Sequence, residues 1–525
     1  MYLPLPTPEE MALWDRLAMD EMGMLPEVLM ENASREALNI IRHRFEDLSG
    51  RSALVVAGSG NNGGDAFALG RHLWNHGVKV MILHSRRLKE YSGSAGHQLS
   101  LAVSLNIPLM YLNEYNMDFL KGVDIIVDGL LGTGFSGQLR DNYVRWIKNI
   151  NKLAEKSYVI ALDIPSGIDG ISGKPCPVAV RADDTVTFEE AKLGLLQPPA
   201  RDYVGCLAVG KIGIPMKIKR DNPPQHFGLG VGVLDQIPVP KKTMHKGEAG
   251  HVLIAGGSTG LSGAAVLTAL GALRAGAGLV TIACPSGLAG DIRHGWPEIM
   301  VLPLGEGNDW HEGLMADLTP QLERFSSVII GPGMGRKDQI GGFIKSYLEN
   351  MHPRTIFDAD ALYFFARDKS LMKNLSLARE VILTPHPGEM ARFFDVGAEE
   401  INRDRTSFAR EFTREYGVNL VLKGACTIIA GKDSPFYVCP IAAPNLAVGG
   451  SGDVLSGVIG SLLGRGFSPV DAANIGVYWH ALAGQELAKK YQFRGNLARE
   501  IADILPDILS RIRNRDKECF PDSLI

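Results

Sequence analysis

The chain has 525 residues, 45% hydrophobic and 21% charged, with a formal net charge of −4; this is ordinary globular composition, enough for two or three domains, and excludes a disordered chain. Its 60 glycines and 29 prolines follow no every-third-residue period, so collagen is excluded and the surplus belongs to turns and tight backbone sites. No large basic run is present, which leaves no electrostatic reason to expect nucleic acid or a membrane surface as partner.

The opening MYLPLPTPEEMALWD lacks a basic stretch followed by an apolar one, so no secretory signal is expected. The first half then alternates short apolar runs with helical segments, the mark of an α/β fold with a mainly parallel sheet. Strands are predicted at 52–58, 78–83, 123–128 and 158–163, and a helix at 65–77. Between the first strand and that helix lies Gly58-Ser59-Gly60-Asn61-Asn62-Gly63, a G-x-G-x-x-G pattern. In this context it suits a dinucleotide's phosphates, and equally a tight turn that binds nothing. The end of the next strand carries His84-Ser85-Arg86-Arg87 where a ribose-binding acid is usual, a change that favours a 2′-phosphate. Asp65 is at the helix start, either as a site residue or as a plain N-cap. Two later strands also end in acids, Asp128 and Asp163. Loops at the carboxyl ends of parallel strands line one crevice, so Asn62, Asp128, Asp163 and Ser166 are expected to converge. All are hard oxygen donors, suited to an alkali or alkaline-earth cation.

These segments resemble the NAD(P)H-hydrate epimerase domain: AGSGNNGGDAFALGR, DGLLGTGFSG, LDIPSGIDG and VTFEEAKLGL, across about 200 residues. The resemblance implies that Asn61, Asn62, Gly63, Gly64 and Asp65, with Gly132, Thr133, Gly134, Phe135, Ser136, Gly137 and Gln138, cradle the hydrated cofactor. It further implies potassium (K+) bound by Asn62, Asp128 and Ser166, and Asp163 as the acid/base residue in contact with substrate. Ala66 stands where the family often has glycine.

A Pro-, Gly- and charge-rich stretch, 217–230, separates the halves, and the boundary is placed at 224/225. The nearest approach to a Walker sequence, Gly205 to Ile212, lacks the magnesium-binding hydroxyl. In the second half strands are predicted at 251–257, 279–284, 327–333, 355–360, 381–386 and 420–425. The apolar segment from Leu261 to Leu273 has about 13 residues, short of the roughly 20 that span a membrane. Toward the end, Val448-Gly-Gly-Ser-Gly452-Asp453 opens a helical run. Its free N–H groups suit an anion, with Asp453 as base, or else Asp453 is an N-cap. The six cysteines, Cys176, Cys206, Cys284, Cys426, Cys439 and Cys519, contain no C-x-x-C pair and read as reduced thiols.

GGSGD together with HKGEAGHVLIAGGSTGLSGAA, IIGPGMG, FDADAL, LTPHPGEM and LKGACT resembles the ADP- or ATP-dependent NAD(P)H-hydrate dehydratase of the ribokinase-like superfamily, over nearly all of 245–480. The resemblance implies substrate contacts from Ala264, Gly333, His386 and Asp453. It implies nucleotide contacts from Lys423, Gly424, Ala425, Cys426, Thr427 and Gly452, with Mg2+ and ADP or ATP as cofactors. Microbial members usually use ADP, which is favoured here. His386 also suits a turn-fixing role, and Asp358 and Asp360 suit either magnesium or capping. Val448 replaces a usual threonine, and Tyr363 a usual asparagine.

The expected architecture is therefore two α/β domains: a Rossmann-like three-layer sandwich, 1–224, as epimerase, and a ribokinase-like domain, 225–525, as dehydratase. The substrates implied are NADHX and NADPHX. A cytoplasmic homo-oligomer with no nucleic-acid or membrane partner is expected. Two other readings remain open at this point: a sugar or vitamin kinase fused to an NADP-binding dehydrogenase, and a non-catalytic metabolite-binding first half. No motif supplies a hydride acceptor for the former.

Overall fold

The computed structural model describes residues 2–112, 122–375, 380–432 and 434–513. Cys519 lies outside the described residues. The chain divides into two compact units. One is Leu3–Phe227; the other holds Tyr2 and the described residues from 228 onward.

The first unit is built on seven parallel strands in the order Leu109–Tyr111, Lys79–His84, Ser52–Ala57, Ile125–Gly129, Tyr158–Leu162, Asp184–Phe188, Cys206–Gly210. Both faces are covered. Ala53, Val55 and Ala57 enter one apolar cluster, while Leu54 and Val56 enter another on the opposite face, which is why these strands read as continuous apolar runs. The strand order reverses direction at Ser52–Ala57, so the loops after this strand and after Ile125–Gly129 open a crevice at their carboxyl ends. Close approach there demands glycine: a Cβ on Gly58 would lie 1.9 Å from the Leu130 carbonyl oxygen.

The helix after that loop differs from the sequence expectation. It spans Asn61–Asn75 with Gly60 as N-cap, so Asp65 sits inside the helix and is not a cap. The predicted strands are present, each ending one or more residues earlier or later than expected. The edge strand Leu109–Tyr111, and Asp184–Phe188 and Cys206–Gly210 in the first unit, were not expected.

The second unit is built on a mainly parallel sheet. Seven strands are parallel, in the order Asn419–Leu422, Val381–Leu383, Thr355–Phe357, Ser327–Ile330, His251–Ala255, Leu279–Pro285, Met300–Leu304. Ile428–Ala430 and Phe436–Val438 extend it antiparallel beyond Asn419–Leu422. Helix Ser451–Gly464 is buried along most of its length and packs on helix Ser262–Arg274. Contact is backbone to backbone: a Cβ on Gly457 would lie 2.0 Å from the Thr268 carbonyl oxygen. Gly457→Ala is therefore expected to destabilise the protein by about 3 kcal/mol through overpacking, seen as a lowered midpoint in denaturant unfolding. Among the described residues, no helix is long and apolar enough to cross a membrane.

Candidate active sites

The crevice of the first unit holds a cavity of about 730 Å³. Asn61, Asn62 and Asp65 line it from helix Asn61–Asn75; Gly132, Thr133, Gly134, Phe135, Ser136 and Gln138 line it from the loop after Ile125–Gly129. Asp163 and Lys192 close the floor, and Asp15 reaches in from helix Pro8–Asp20. Gly63, Gly64 and Gly137 are not on the lining. The first two serve packing: a Cβ on Gly63 would strike the Gly58 carbonyl at 2.0 Å, and one on Gly64 would strike the Met30 side chain. On this side the cavity is thus lined by the polar side chains of that motif, while Gly63 and Gly64 let the helix approach.

Asp163 follows strand Tyr158–Leu162 and has φ +62°, a left-handed conformation that costs a non-glycine residue energy. A hydrogen bond from its N–H to the Val186 carbonyl oxygen (2.7 Å) holds it there. Its Oδ1 accepts from Lys192 Nζ at 2.6 Å, and its Oδ2 from the Thr133 N–H at 3.1 Å. Burial alone would push the Asp163 carboxyl up, but the Lys192 ammonium and these hydrogen bonds hold it below the ordinary carboxylate range. Lys192, almost fully buried, also donates to Thr187 Oγ1 and the Phe188 carbonyl. Its role was missed in the sequence although it stands in VTFEEAKLGL; a lone lysine gives no sign of which acid it will meet. Asp65 lies well above the ordinary range, through burial first and then the negative charges of Asp163 and Asp15. Asp15 is pushed up to about 6 by burial, with Asp163 and Glu189 adding to it against Lys192. The cavity thus holds an ionised carboxylate beside two carboxyls inclined to keep their protons.

Below the lining, Asp128 and Ser166 come together as expected. Asp128 accepts from Ser166 Oγ at 2.6 Å, from the Ser166 N–H at 2.8 Å and from the Leu130 N–H at 3.2 Å. Asn62 donates to the Leu131 and Leu162 carbonyls at 2.7 and 3.1 Å, leaving its buried Oδ1 without a partner. An orphaned buried oxygen is costly, and this one fits a hard cation.

In the second unit, Gly450 is the left-handed N-cap (φ +91°) of helix Ser451–Gly464, so Asp453 lies in its first turn and caps nothing. Burial, then the Asp358 charge, push Asp453 up to about 7 against the pull of Lys423. Lys423 approaches the same loop: a Cβ on Gly452 would lie 3.3 Å from its Nζ. The predicted nucleotide segment 423–427 and the GGSGD loop are thereby neighbours. Lys423 Nζ donates to Asp358 Oδ1 at 2.6 Å, and Ser456 Oγ to Asp358 Oδ2 at 2.6 Å. Asp360 accepts from the Gly335 N–H and from Arg336 Nε. Both acids are engaged by the protein, which supports anchoring over metal ligation for the pair.

Within 423–427, Gly424 (φ +140°) and Ala425 are exposed, Cys426 (φ +56°) is buried, and Thr427 Oγ1 donates to the Gly424 carbonyl. Beneath the loop is Arg405, which the sequence reading overlooked. It is buried and donates to the Leu422 and Lys423 carbonyls at 2.8 and 3.1 Å. Ala264 and Gly333 meet: Gly333 has φ +64°, and a Cβ there would lie 3.0 Å from the Ala264 Cβ. His386 takes the turn-fixing role, its Nδ1 accepting from the Gly388 and Glu389 N–H groups at the start of helix Pro387–Phe394. Its ring remains half exposed, so capping leaves an edge open to a ligand. Burial chiefly, then Lys423, lowers the pKa of His386, and burial raises Glu389 to about 7. Tyr363 lies between Arg336 and Arg392, whose guanidinium carbons are 5.1 and 6.0 Å from its ring centroid. Val448 packs against the core beside the helix start; nothing here accounts for its replacing threonine.

A family model described as NAD(P)H-hydrate dehydratase matches residues 252–507, and one described as YjeF-related protein N-terminus matches 26–194. The chain is 37% identical to a bifunctional NAD(P)H-hydrate repair enzyme of Moorella thermoacetica, covering 99% of this chain and 98% of that one. It is 34% identical to the protein so named in Escherichia coli, covering 94% and 92%. Among solved structures it is similar to a ribokinase-like superfamily protein of Enterococcus faecalis (25% identity, 55% of this chain, 96% of that one, TM-score 0.48). Another is an ADP/ATP-dependent NAD(P)H-hydrate dehydratase of Bacillus subtilis co-crystallised with ATP/Mg2+ (29% identity, 53% and 95%, TM-score 0.43). With full-length identity above a third to one such enzyme and each half matched by its own family model, the chain belongs to the family of bifunctional NAD(P)H-hydrate repair enzymes.

Proposed function

We infer that the chain repairs hydrated nicotinamide cofactors in two steps, one in each unit. The first unit, containing Asp163, interconverts the R and S forms of NAD(P)H hydrate; the second, containing Asp453, dehydrates the S form to NADH or NADPH at the expense of a nucleotide, with ADP favoured. The observation that carries this reading is the pairing, in one chain, of two carboxylates of opposite character. Asp163 is held ionised by Lys192, whereas Asp453 holds a proton to about pH 7 beside a glycine-rich anion site.

In epimerisation the hydroxyl on ring carbon 6 must leave and return on the opposite face, pushed out by the ring nitrogen's lone pair. Asp65, which keeps its proton, gives it to the departing hydroxyl, and ionised Asp163, fixed by Lys192 and Thr133, takes the proton of the water that adds back on the opposite face. Asn61, Asn62, Asp65 and the 132–138 loop orient the dinucleotide. In dehydration Asp453 takes the hydroxyl proton as the hydroxyl oxygen bonds to the terminal phosphorus of the nucleotide and the bond from that phosphorus to its bridging oxygen breaks, releasing AMP from ADP or ADP from ATP. The free N–H groups at the start of helix Ser451–Gly464 face the transferred group's charge. Phosphate then departs with the C–O bond electrons, and loss of a ring proton restores the reduced cofactor. Gly452 and residues 423–427 hold the nucleotide, while Ala264, Gly333 and His386 contact the substrate.

The orphaned Oδ1 of Asn62, with Asp128 and Ser166 adjacent, fits potassium, which would offset phosphate charge and fix the loops. Among the described residues no cluster of three His, Cys, Asp or Glu could hold a metal. Mg2+ would accordingly be held mainly through nucleotide phosphates. Equal concentrations of KCl and NaCl should separate in thermal melts of the full chain, with potassium raising the transition; superimposable curves would count against the cation site. The function itself is tested by incubating the protein with hydrated NADPH and either ADP or ATP, following the near-ultraviolet absorbance of the reduced ring. No nucleotide-dependent recovery of NADPH would refute it.

A further inference from the structure

Arg86 lies two residues beyond strand Lys79–His84 and lines the same 730 Å³ cavity as Asp163. The backbone that presents it is tied down. His84 Nδ1 is 2.6 Å from the Arg86 carbonyl oxygen, the Ser85 N–H donates to the Ala57 carbonyl at 3.1 Å, and the Arg86 N–H meets Tyr91 Oη at 3.4 Å. Tyr91 is itself seated edge-on against Phe67. The side chain, by contrast, is exposed, and no acid among the described residues pairs with its guanidinium. A charged group placed by a rigid turn and left unpaired in a cavity is suited to a ligand anion.

Its place in the sheet says which anion. Strand Lys79–His84 is three positions from strand Tyr158–Leu162, after which Asp163 follows. At the usual spacing of parallel strands this separates the two cavity ends by roughly 14 Å. Between them lies the helix start at Asn61, where a pyrophosphate would sit. A dinucleotide with its nicotinamide at Asp163 and its pyrophosphate at that helix start brings the adenosine ribose to Arg86. At this strand end an acid would accept hydrogen bonds from both ribose hydroxyls, whereas an arginine pairs with a 2′-phosphate. The residues there are His84, Ser85, Arg86 and Arg87; Glu90, the nearest acid in sequence, is exposed and off the cavity lining.

We propose that Arg86 is the specificity-determining residue of the first unit, recognising a phosphomonoester on the adenosine ribose so that NADPHX is epimerised in preference to NADHX. This rests on the epimerase reading of the cavity.

The test uses the full chain and its Arg86→Gln, Arg86→Lys and Arg87→Gln variants, with R-enriched NADPHX and NADHX as substrates and epimers separated by chromatography. Arg86→Gln should raise the ratio of KM for NADPHX to KM for NADHX about tenfold, the loss of one charge-assisted hydrogen bond, with kcat for the two substrates changing in step. Arg86→Lys should recover part of that ratio, and Arg87→Gln, off the lining, should leave it alone. NADP+ should inhibit native protein more strongly than NAD+, and the difference should shrink in Arg86→Gln. A ratio unmoved in Arg86→Gln, or inhibition by the two nucleotides that is equal in native protein, overturns the proposal while leaving epimerisation intact. Native protein that epimerises neither hydrate overturns the reading of the cavity itself.

Discussion

Asp453→Asn is expected to lower nucleotide-dependent recovery of NADPH from the S hydrate by at least about a thousandfold, with epimerisation in the same preparation retained. The substitution keeps the side chain's size and removes its basicity. It also removes the one acid in the first turn of helix Ser451–Gly464 that faces Lys423 across Gly452. The native protein should show the same dependence through pH. Burial and the Asp358 charge raise Asp453 to about 7, so the base is increasingly protonated, and dehydration slower, as pH falls below that value. Above it the carboxylate is ionised and the rate levels off. Asp163 has the opposite shift, downward, so epimerisation should hold its rate at mildly acidic pH where dehydration has begun to fail. Rates of the two steps measured across pH on one preparation provide the check. Persistent repair in Asp453→Asn, or dehydration indifferent to pH near neutrality, would remove Asp453 from the proposed role.

Asp163→Asn is expected to do the reverse, and to cost stability besides. Supplied with mixed R and S hydrates plus nucleotide, the variant should recover NADPH in a fast phase equal to the S fraction. A slow phase set by unaided epimerisation should follow. A single phase like that of native protein would exclude Asp163 as the acid/base group. The change also strands Lys192, whose buried ammonium would keep hydrogen bonds to Thr187 and Phe188 but lose its carboxylate. Breaking a buried pair from one side costs about 3–5 kcal/mol, so a lower melting transition should accompany the kinetic change. Lys192→Met separates these effects: it keeps the acid but removes the cation that depresses its pKa. The pH below which epimerisation fails should then move upward. An unmoved profile would show that Lys192 serves packing alone.

What the sequence by itself determined is local. Apolar runs over Ser52–Ala57 and His251–Ala255 mark strands covered on both faces, and the Gly-rich segment after Ala57 marks close backbone approach, because φ/ψ preference and burial act over a few residues. The ends of elements were less legible. Asn61–Asp65, with its two glycines, reads as loop, yet tertiary packing against Gly58 and Met30 carries it into a helix and turns Asp65 from a possible cap into a buried cavity acid. The partners of the charged groups were decided only by the tertiary structure. Lys192 meets Asp163 across 29 positions, Lys423 meets Asp358 across 65, and Ser166 meets Asp128 across 38. These encounters depend on strand order and register, which residue spacing does not encode. The charge state of each carboxyl depends in turn on such neighbours and on burial. Short motifs could therefore nominate Asp163 and Asp453, but only the folded sheet makes the first an ionised carboxylate and leaves the second holding its proton near neutrality.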